Sequence, residues 1–547
     1  MAQHQTIESD VLVIGGGASA MMAALEARKV VKDVVMVSKA LVGRSGCTAV
    51  AIGGFAAAFG STDTLDDPDL HFKDTLEGGY FLNERRLVNI MVSEACKRVA
   101  ELEELGFKFR KREERFLQNR AVGHSVPRIC SAASGRKIGA DLGRCLASAV
   151  EGAGLKIFEK VMIVDLITEE GSVTGALGLD LKSGDFILFK AKATVLGTGG
   201  SGRLYLHTTN PSDVTGDGYG MALRAGATLI DMEFVQFYPC TSLWPVSGYL
   251  ILDKVFADGA YLLNAKGERF MIKHGKEAEM VTRDILARAI FLEVLEGRGI
   301  RGGVHLSYSG IPEHILKTVY REEFQLFLAR GVDLRSQPIV VAPAAHFVMG
   351  GILINEDGEA SLPNLYAAGE VTGGLHGANR IPGNALTEAL VFGARAGRAA
   401  AERALRSKFS DVDSGQVGQI VRFCIDLKKG NGIKPQALLK ELQRTMWEEA
   451  GIVRSADGLK RAIGKIQDLR EKFSKISASS LLELKTAIEL RNLLDVGQMV
   501  AESALMREES RGAHFRIDYP SRDDGWLCHI AFQKRGDTVH KLKIPVR

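Results

Sequence analysis

The segment that most constrains this chain stands near its beginning. An apolar run, Asp10 to Ile14, feeds directly into Gly15-Gly16-Gly17-Ala18-Ser19-Ala20 and an alanine-rich stretch that ends near Lys29. Val34 to Ser38 is a second apolar run. The order predicts strand, glycine turn, helix and strand, with the helix N-terminus facing a pyrophosphate. The reasons are local. Gly15 permits the turn, Gly17 lets backbone approach a phosphate, and small Ala20 lets helix and strand pack closely. The first N–H groups of the helix are then free to meet the phosphate charge. An acidic residue would ordinarily close the second strand and hold a ribose, but Ser38 and Lys39 stand there instead.

Two later segments repeat the theme. Thr194 to Leu196 ends in Gly197-Thr198-Gly199-Gly200, and Asn364 to Ala368 ends in Gly369-Glu370, ahead of a small-residue helix from about Asn384. Three strands that end in glycine suit one two-nucleotide cofactor laid along a sheet edge. Glu370 is placed to meet a ribose hydroxyl, and the alternative reading is a solvated loop acid. The 60 glycines among 547 residues are about one and a half times ordinary usage, as backbones pressed against a ligand require.

So long a chain exceeds one hydrophobic core and predicts several domains. Apolar residues at 46% and charged residues at 25% are ordinary for a globular protein. A net charge of +4 gives no case for nucleic acid or an anionic membrane surface. Cys47, Cys96, Cys130, Cys145, Cys240, Cys424 and Cys528 are scattered without a C-x-x-C pair. That argues against a metal site, an iron–sulfur cluster or a disulfide framework in this chain, and it fits a reducing compartment. The N-terminal MAQHQTIESD carries no basic-then-apolar leader, and no apolar run reaches membrane-spanning length. The expectation is a cytoplasmic protein that reaches the inner face of a membrane only through partner subunits.

Further motifs follow in a fixed order. They are Gly43-Arg44-Ser45-Gly46-Cys47-Thr48-Ala49-Val50-Ala51-Ile52-Gly53-Gly54, Met232-Glu233-Phe234-Val235-Gln236-Phe237-Tyr238-Pro239 and Thr282-Arg283-Asp284. Ala345-His346-Phe347-Val348-Met349-Gly350-Gly351, Leu375-His376-Gly377-Ala378-Asn379-Arg380 and Arg507-Glu508-Glu509-Ser510-Arg511-Gly512-Ala513-His514 complete the series. From about Asp10 to Asp524 the chain resembles the flavoprotein subunits of succinate dehydrogenase and fumarate reductase, a family that includes L-aspartate oxidase. The resemblance implies an α/β protein with a Rossmann-like FAD-binding domain in two parts, 1–236 and 342–408. An α+β capping domain, 237–341, is inserted between them. A C-terminal helical domain, 409–510, and an appended segment, 511–547, follow.

The resemblance also implies FAD as cofactor. Its expected contacts are Gly15, Gly17, Ala18, Ser19, Ser38, Lys39, Ser45, Cys47, Thr48, Gly53, Gly54, Thr198, Gly199, Asp217, Glu370, Asn384, Ala385 and Leu386. The N-terminus of the helix from Asn384 would face the flavin pyrimidine, where its dipole offsets negative charge, and His376 would lie near the same edge. For a small carboxylic acid substrate, His346 and Arg380 would hold a carboxylate. A planar guanidinium suits that task because it offers paired donors and stays charged. Arg283 would occupy the family's proton-donor position, with Asp253 returning its proton. On residues alone, Arg283-Asp284 reads instead as an ion pair at a helix start.

Three departures from the family pattern stand out. Cys47 takes the position of the histidine that bonds covalently to FAD in many members, which implies noncovalent FAD, with a cysteinyl thioether as the alternative, and a lower flavin potential that favours substrate reduction. Tyr238 replaces the usual cap histidine. In Leu252-Asp253-Lys254-Val255-Phe256-Ala257-Asp258-Gly259-Ala260, Leu252 replaces a threonine donor and Phe256 an arginine. Tyr238 and Leu252 would therefore present a less polar wall to the far end of the substrate. The expected activity is hydride transfer between flavin N5 and the carbon–carbon bond of fumarate or a less polar acid. A separate iron–sulfur subunit would carry the electrons. L-aspartate oxidase and an electron-transfer flavoprotein module without dicarboxylate activity are the alternatives the sequence leaves open.

Overall fold

The computed structural model describes residues 5–135, 138–429 and 432–547. Its largest sheet has seven strands, in the order Lys156–Glu159, Val34–Ser38, Gln5–Ile14, Phe186–Leu196, Ser172–Asp180 and Val161–Glu169, with Leu365–Ala367 set beside Phe186–Leu196. The strands that carry glycine turns run parallel, as βα crossovers require. Val11, Leu12, Val13, Val35, Met36 and Val37 are all but inaccessible to solvent, the continuous apolar pattern of a sheet covered on both faces. The helix Ala18–Arg28 packs on this sheet, and Asn384–Leu405 packs on that helix. The two helices meet at glycines. A Cβ on Gly393 would lie 2.6 Å from Ser19 O and one on Gly397 2.1 Å from Ala23 O. Even an alanine would force the helices apart, an overpacking cost of about 1–3 kcal/mol.

The cap is a five-stranded antiparallel sheet in the order Tyr249–Leu250, Val235–Trp244, Ile339–Val348, Val304–Ser307 and Tyr261–Leu263. It has a core of its own that includes Ile251, Leu262, Phe270, Ile290 and Phe327. Val235–Trp244 and Ile339–Val348 form its stalk, paired from Val235↔Val348 to Trp244↔Val340. The cap sheet therefore runs past the expected limits of 237–341, and His346 belongs to a cap strand rather than to the second FAD-binding part.

Four helices, Ser414–Leu427, Pro435–Glu449, Ala456–Phe473 and Leu481–Met506, form the helical domain. The C-terminal segment is not an appendage. Its hairpin, Cys528–Arg535 with Thr538–Pro545, continues a sheet with Leu229–Ile230 and Gly351–Ile352. Buried His529 is bonded to Asp231 and, at 3.0 Å, to Glu84. Burial opposes charge on that imidazole, but the two carboxylates overcome it and push its pKa up to about 10. Among the described residues, no helix is long and apolar enough to cross a membrane.

Candidate active site

Strand register brings the three glycine turns to one level. Ile14 pairs with Leu196, and Leu196 with Ala367, so the chain leaves the sheet side by side at Gly15, Gly197 and Gly369. A Cβ on Gly15 (φ +134°) would lie 2.2 Å from Gly197 O, and one on Gly197 would lie 2.8 Å from the Cβ of Ala20. Small residues are thus demanded by backbone-to-backbone approach. Beyond these turns opens an elongated cleft of about 1760 Å³, its open mouth included.

One half of the cleft is built by Gly15 to Ser19, Ser38, Lys39, Thr198, Gly199 and Asp217. Gly17 caps the helix Ala18–Arg28 without a side-chain bond, and no acid occupies its first turn, which leaves the helix dipole available to an anion. Lys39 Nζ lies 2.7 Å from both Asp217 and Glu489. Burial alone would lower its pKa, but these two carboxylates raise it. The lysine is therefore an ammonium that fixes the strand end to the helix Leu481–Met506.

The other half joins the FAD-binding body to the cap. Ser45, Cys47, Thr48, Gly53, Gly54, Glu370, Arg380, Ala385 and Leu386 face Tyr238, Leu250, Leu252, Arg283, His346 and Phe347. Arg380 donates from Nη2 to Gln236 Oε1 at 2.9 Å and lies 4.5 Å from the Phe347 ring centre. Burial and the Arg283 charge lower its pKa to about 9. Burial, Arg380 and Arg283 hold His346 well below the usual imidazole range. Arg283 Nε and Nη2 each lie 2.8 Å from Asp253 Oδ2, and its guanidinium stands 4.6 Å from the Tyr238 ring centre. Arg380 faces His346 and the largely buried Arg283 across the cleft, and two cations beside a neutral imidazole make a site for an anion, because a bound carboxylate relieves the repulsion between them.

Comparison with known proteins decides what such a cleft belongs to. Residues 10–386 match the family model for the FAD binding domain, and 439–546 match that for the fumarate reductase flavoprotein C-terminal region. The chain belongs to the succinate dehydrogenase/fumarate reductase flavoprotein family. One relative, from Methanothermobacter marburgensis, is named as a subunit of fumarate reductase (CoM/CoB); it is 40% identical, over 97% of this chain and 98% of that protein. L-aspartate oxidase of Synechocystis is 34% identical, over 96% and 97%. The solved structure of E. coli quinol fumarate reductase FrdA superposes with a TM-score of 0.92 at 30% identity, covering 99% of this chain and 97% of that one. The protein is an FAD-dependent oxidoreductase of the fumarate reductase/succinate dehydrogenase type.

The residues of this flavoprotein fit FAD. Thr198 Oγ1 and Arg380 Nε are buried without a hydrogen-bond partner among the described residues, and both residues line the cleft. A Cβ on Gly53 or Gly199 would meet nothing within 4 Å among the described residues, so these glycines keep open space beside the cleft. All the contacts expected from the sequence line it except Asn384. That side chain points inward, 2.9 Å from His71 Nε2 and 3.0 Å from Thr75 Oγ1, and the contact expected at Asn384 is one of its backbone.

Other expectations change in detail. Glu370 is no solvated loop acid. It accepts from Val348 N at 3.1 Å, and burial, opposed by Arg380, raises its pKa to about 7. It also lies near Arg380 and Cys47. Arg283 does not pair with Asp284, which takes the Tyr80 hydroxyl at 2.9 Å. Asp253 stands behind Arg283 rather than on the cleft. His376 is buried against Glu388 at 2.9 Å, a structural histidine away from the cleft edge. Phe256 is part of the cap core. Tyr238 donates its hydroxyl to Ile251 O at 2.9 Å, so the wall it shares with Leu250 and Leu252 is apolar. Thr209, Asn210 and Asp213 line the cleft as well, without a local signature in the sequence, and Gln236, given no role within the motif Met232 to Pro239, supports Arg380.

Proposed function

We propose that this flavoprotein transfers hydride between FAD and a carbon–carbon bond flanked by a carboxylate, with fumarate or a less polar relative as acceptor. The observation that carries the reading is the convergence of Arg283, His346 and Arg380 on one cleft, with Asp253 bonded behind Arg283. FAD, when bound, supplies the hydride, which no side chain can do. Arg380 and His346 hold the carboxylate as charged and neutral donors. Arg283 delivers the proton to the carbon left basic by hydride addition. Asp253, 18% exposed, takes up a proton from solvent and passes it to the neutral guanidine along its hydrogen bond to Nε. Arginine is a poor acid in water, with a pKa above about 12, but it serves an acceptor as basic as a carbanion. The cap strands that carry Tyr238 and His346 exclude water from this centre.

FAD is held without a covalent bond. Burial, Glu370 and Asp213 push the Cys47 thiol well above its ordinary range, so it stays protonated and is a weak nucleophile. Electrons reach the flavin from an iron–sulfur subunit. On this reading the protein is cytoplasmic and peripheral to any membrane through its partners. The Methanothermobacter relative is, by its name, one component of a multi-subunit enzyme.

The test is the anaerobic oxidation of reduced viologen by purified protein on addition of fumarate. Turnover supports the reading, and its absence rejects fumarate as acceptor. Hydrogen peroxide formed from aspartate would instead favour L-aspartate oxidase, the activity named for a relative at 34% identity.

A further inference from the structure

The loop His207–Asn210 wraps the His346 strand. Ala345 N donates to His207 O at 2.9 Å, and Asn210 Nδ2 donates to His346 O at 2.9 Å. Thr209 lines the cleft beside His346, with its Oγ1 2.8 Å from His346 Nδ1. The direction of that bond decides what His346 offers a ligand. If the ring donates from Nδ1, its Nε2 carries only a lone pair and repels a carboxylate. If the threonine donates, Nε2 carries the proton and attracts one.

Among the protein's own acceptors, the surrounding bonds leave one direction. The competing acceptor for the Thr209 hydroxyl is Ala345 O, at 3.4 Å. That carbonyl already accepts from Thr208 Oγ1 at 2.9 Å and from Thr209 N at 3.0 Å, which occupies both of its lone pairs. The hydroxyl proton therefore goes to Nδ1. Asn210 Nδ2, 3.5 Å from Thr209 Oγ1, approaches that oxygen as a donor and is compatible with this arrangement.

We propose that Thr209 is a positioning residue that fixes His346 in the Nε2–H tautomer, so that a neutral imidazole donates to the substrate carboxylate beside Arg380. The inference rests on the functional reading above and goes beyond it by naming the residue that makes His346 a donor. Thr209 touches neither the reacting carbon nor its proton. Its loss therefore weakens carboxylate binding and leaves the chemical step alone.

The experiment compares wild type, Thr209→Val and Thr209→Ser, each purified with FAD. Calorimetry measures the Kd for malonate, and the viologen assay measures kcat and KM for fumarate. Valine preserves shape and removes the donor. The malonate Kd and the fumarate KM should each rise about tenfold, the scale of one hydrogen bond to a charged group, with kcat within about twofold. Serine restores the hydroxyl and should restore both constants. Unchanged affinity in Thr209→Val overturns the inference, as does a serine variant as impaired as the valine one. Equal thermal melting of the three proteins separates tautomer control from a folding defect. Wild-type protein that neither binds malonate nor reduces fumarate overturns the functional reading itself, and this inference with it.

Discussion

Replacing Asp253 by Asn isolates the proton path from substrate binding. In the native protein a single carboxylate oxygen, Oδ2, receives both Nε and Nη2 of Arg283 at 2.8 Å, and both side chains are largely buried. Asparagine keeps the shape and one acceptor but removes the charge and the basic site that returns a proton to Arg283. Positioned proton transfer contributes about 10²–10⁴ in rate, so kcat should fall by about that factor, or roughly 3–5 kcal/mol in barrier. The carboxylate clamp at Arg380 and His346 is untouched, so the KM for fumarate should change by less than about threefold. The uncompensated Arg283 also costs stability. A fully buried broken pair costs about 3–5 kcal/mol, and the loss here should be smaller because water reaches both partners. Steady-state fumarate reduction with a reduced viologen measures kcat and KM together. A kcat within about threefold of wild type would refute the role of Asp253. A large rise in KM at constant kcat would show that the aspartate merely orients Arg283 for binding.

Acid precipitation of the native protein should leave a colourless pellet and all of its FAD in the supernatant, and a pellet that stays yellow would contradict noncovalent binding. Replacing Glu370 by Gln should remove a pH-dependent loss of stability in the flavin-free protein. Because its folded-state pKa is raised from 4.5 to about 7, the folded protein keeps a proton that the unfolded chain releases. Stability should thus fall by up to about 3 kcal/mol between pH 4.5 and 7 and stay level above. Denaturant unfolding at pH 5 and pH 8 should show the smaller decline in the Gln variant. Replacing Lys39 by Met strands Asp217 and Glu489 and should destabilise the protein by about 3 kcal/mol, with faster FAD release followed by fluorescence.

Much of this architecture can be read directly from residues because its causes are local. The turn after Ile14, the glycines after Leu196 and the start of the helix at Asn384 follow from steric demands within a few positions. Ordered motifs then placed Arg283, His346 and Arg380 in one site. What stayed hidden depends on contacts between distant segments. Thr209 meets His346 across 137 positions and Gln236 meets Arg380 across 144, and neither threonine nor glutamine announces such a partner. The adjacency of Arg283 and Asp284 suggested a pair that the fold divides, with one side chain sent to Asp253 and the other to Tyr80. The C-terminal hairpin read as an appended segment because its pairing with Leu229–Ile230 is non-local. The inward turn of the Asn384 side chain, which His71 and Thr75 satisfy, is likewise non-local.

The most direct measurement is a single turnover of the flavin itself. Protein purified with FAD is bleached anaerobically and mixed with fumarate, and the visible flavin absorbance is followed. Recovery of that absorbance, with one succinate formed per flavin, is the predicted result. A flavin that stays reduced in the presence of fumarate, yet is reoxidised by oxygen, would contradict the assignment of Arg283, His346 and Arg380 as a fumarate-reducing site.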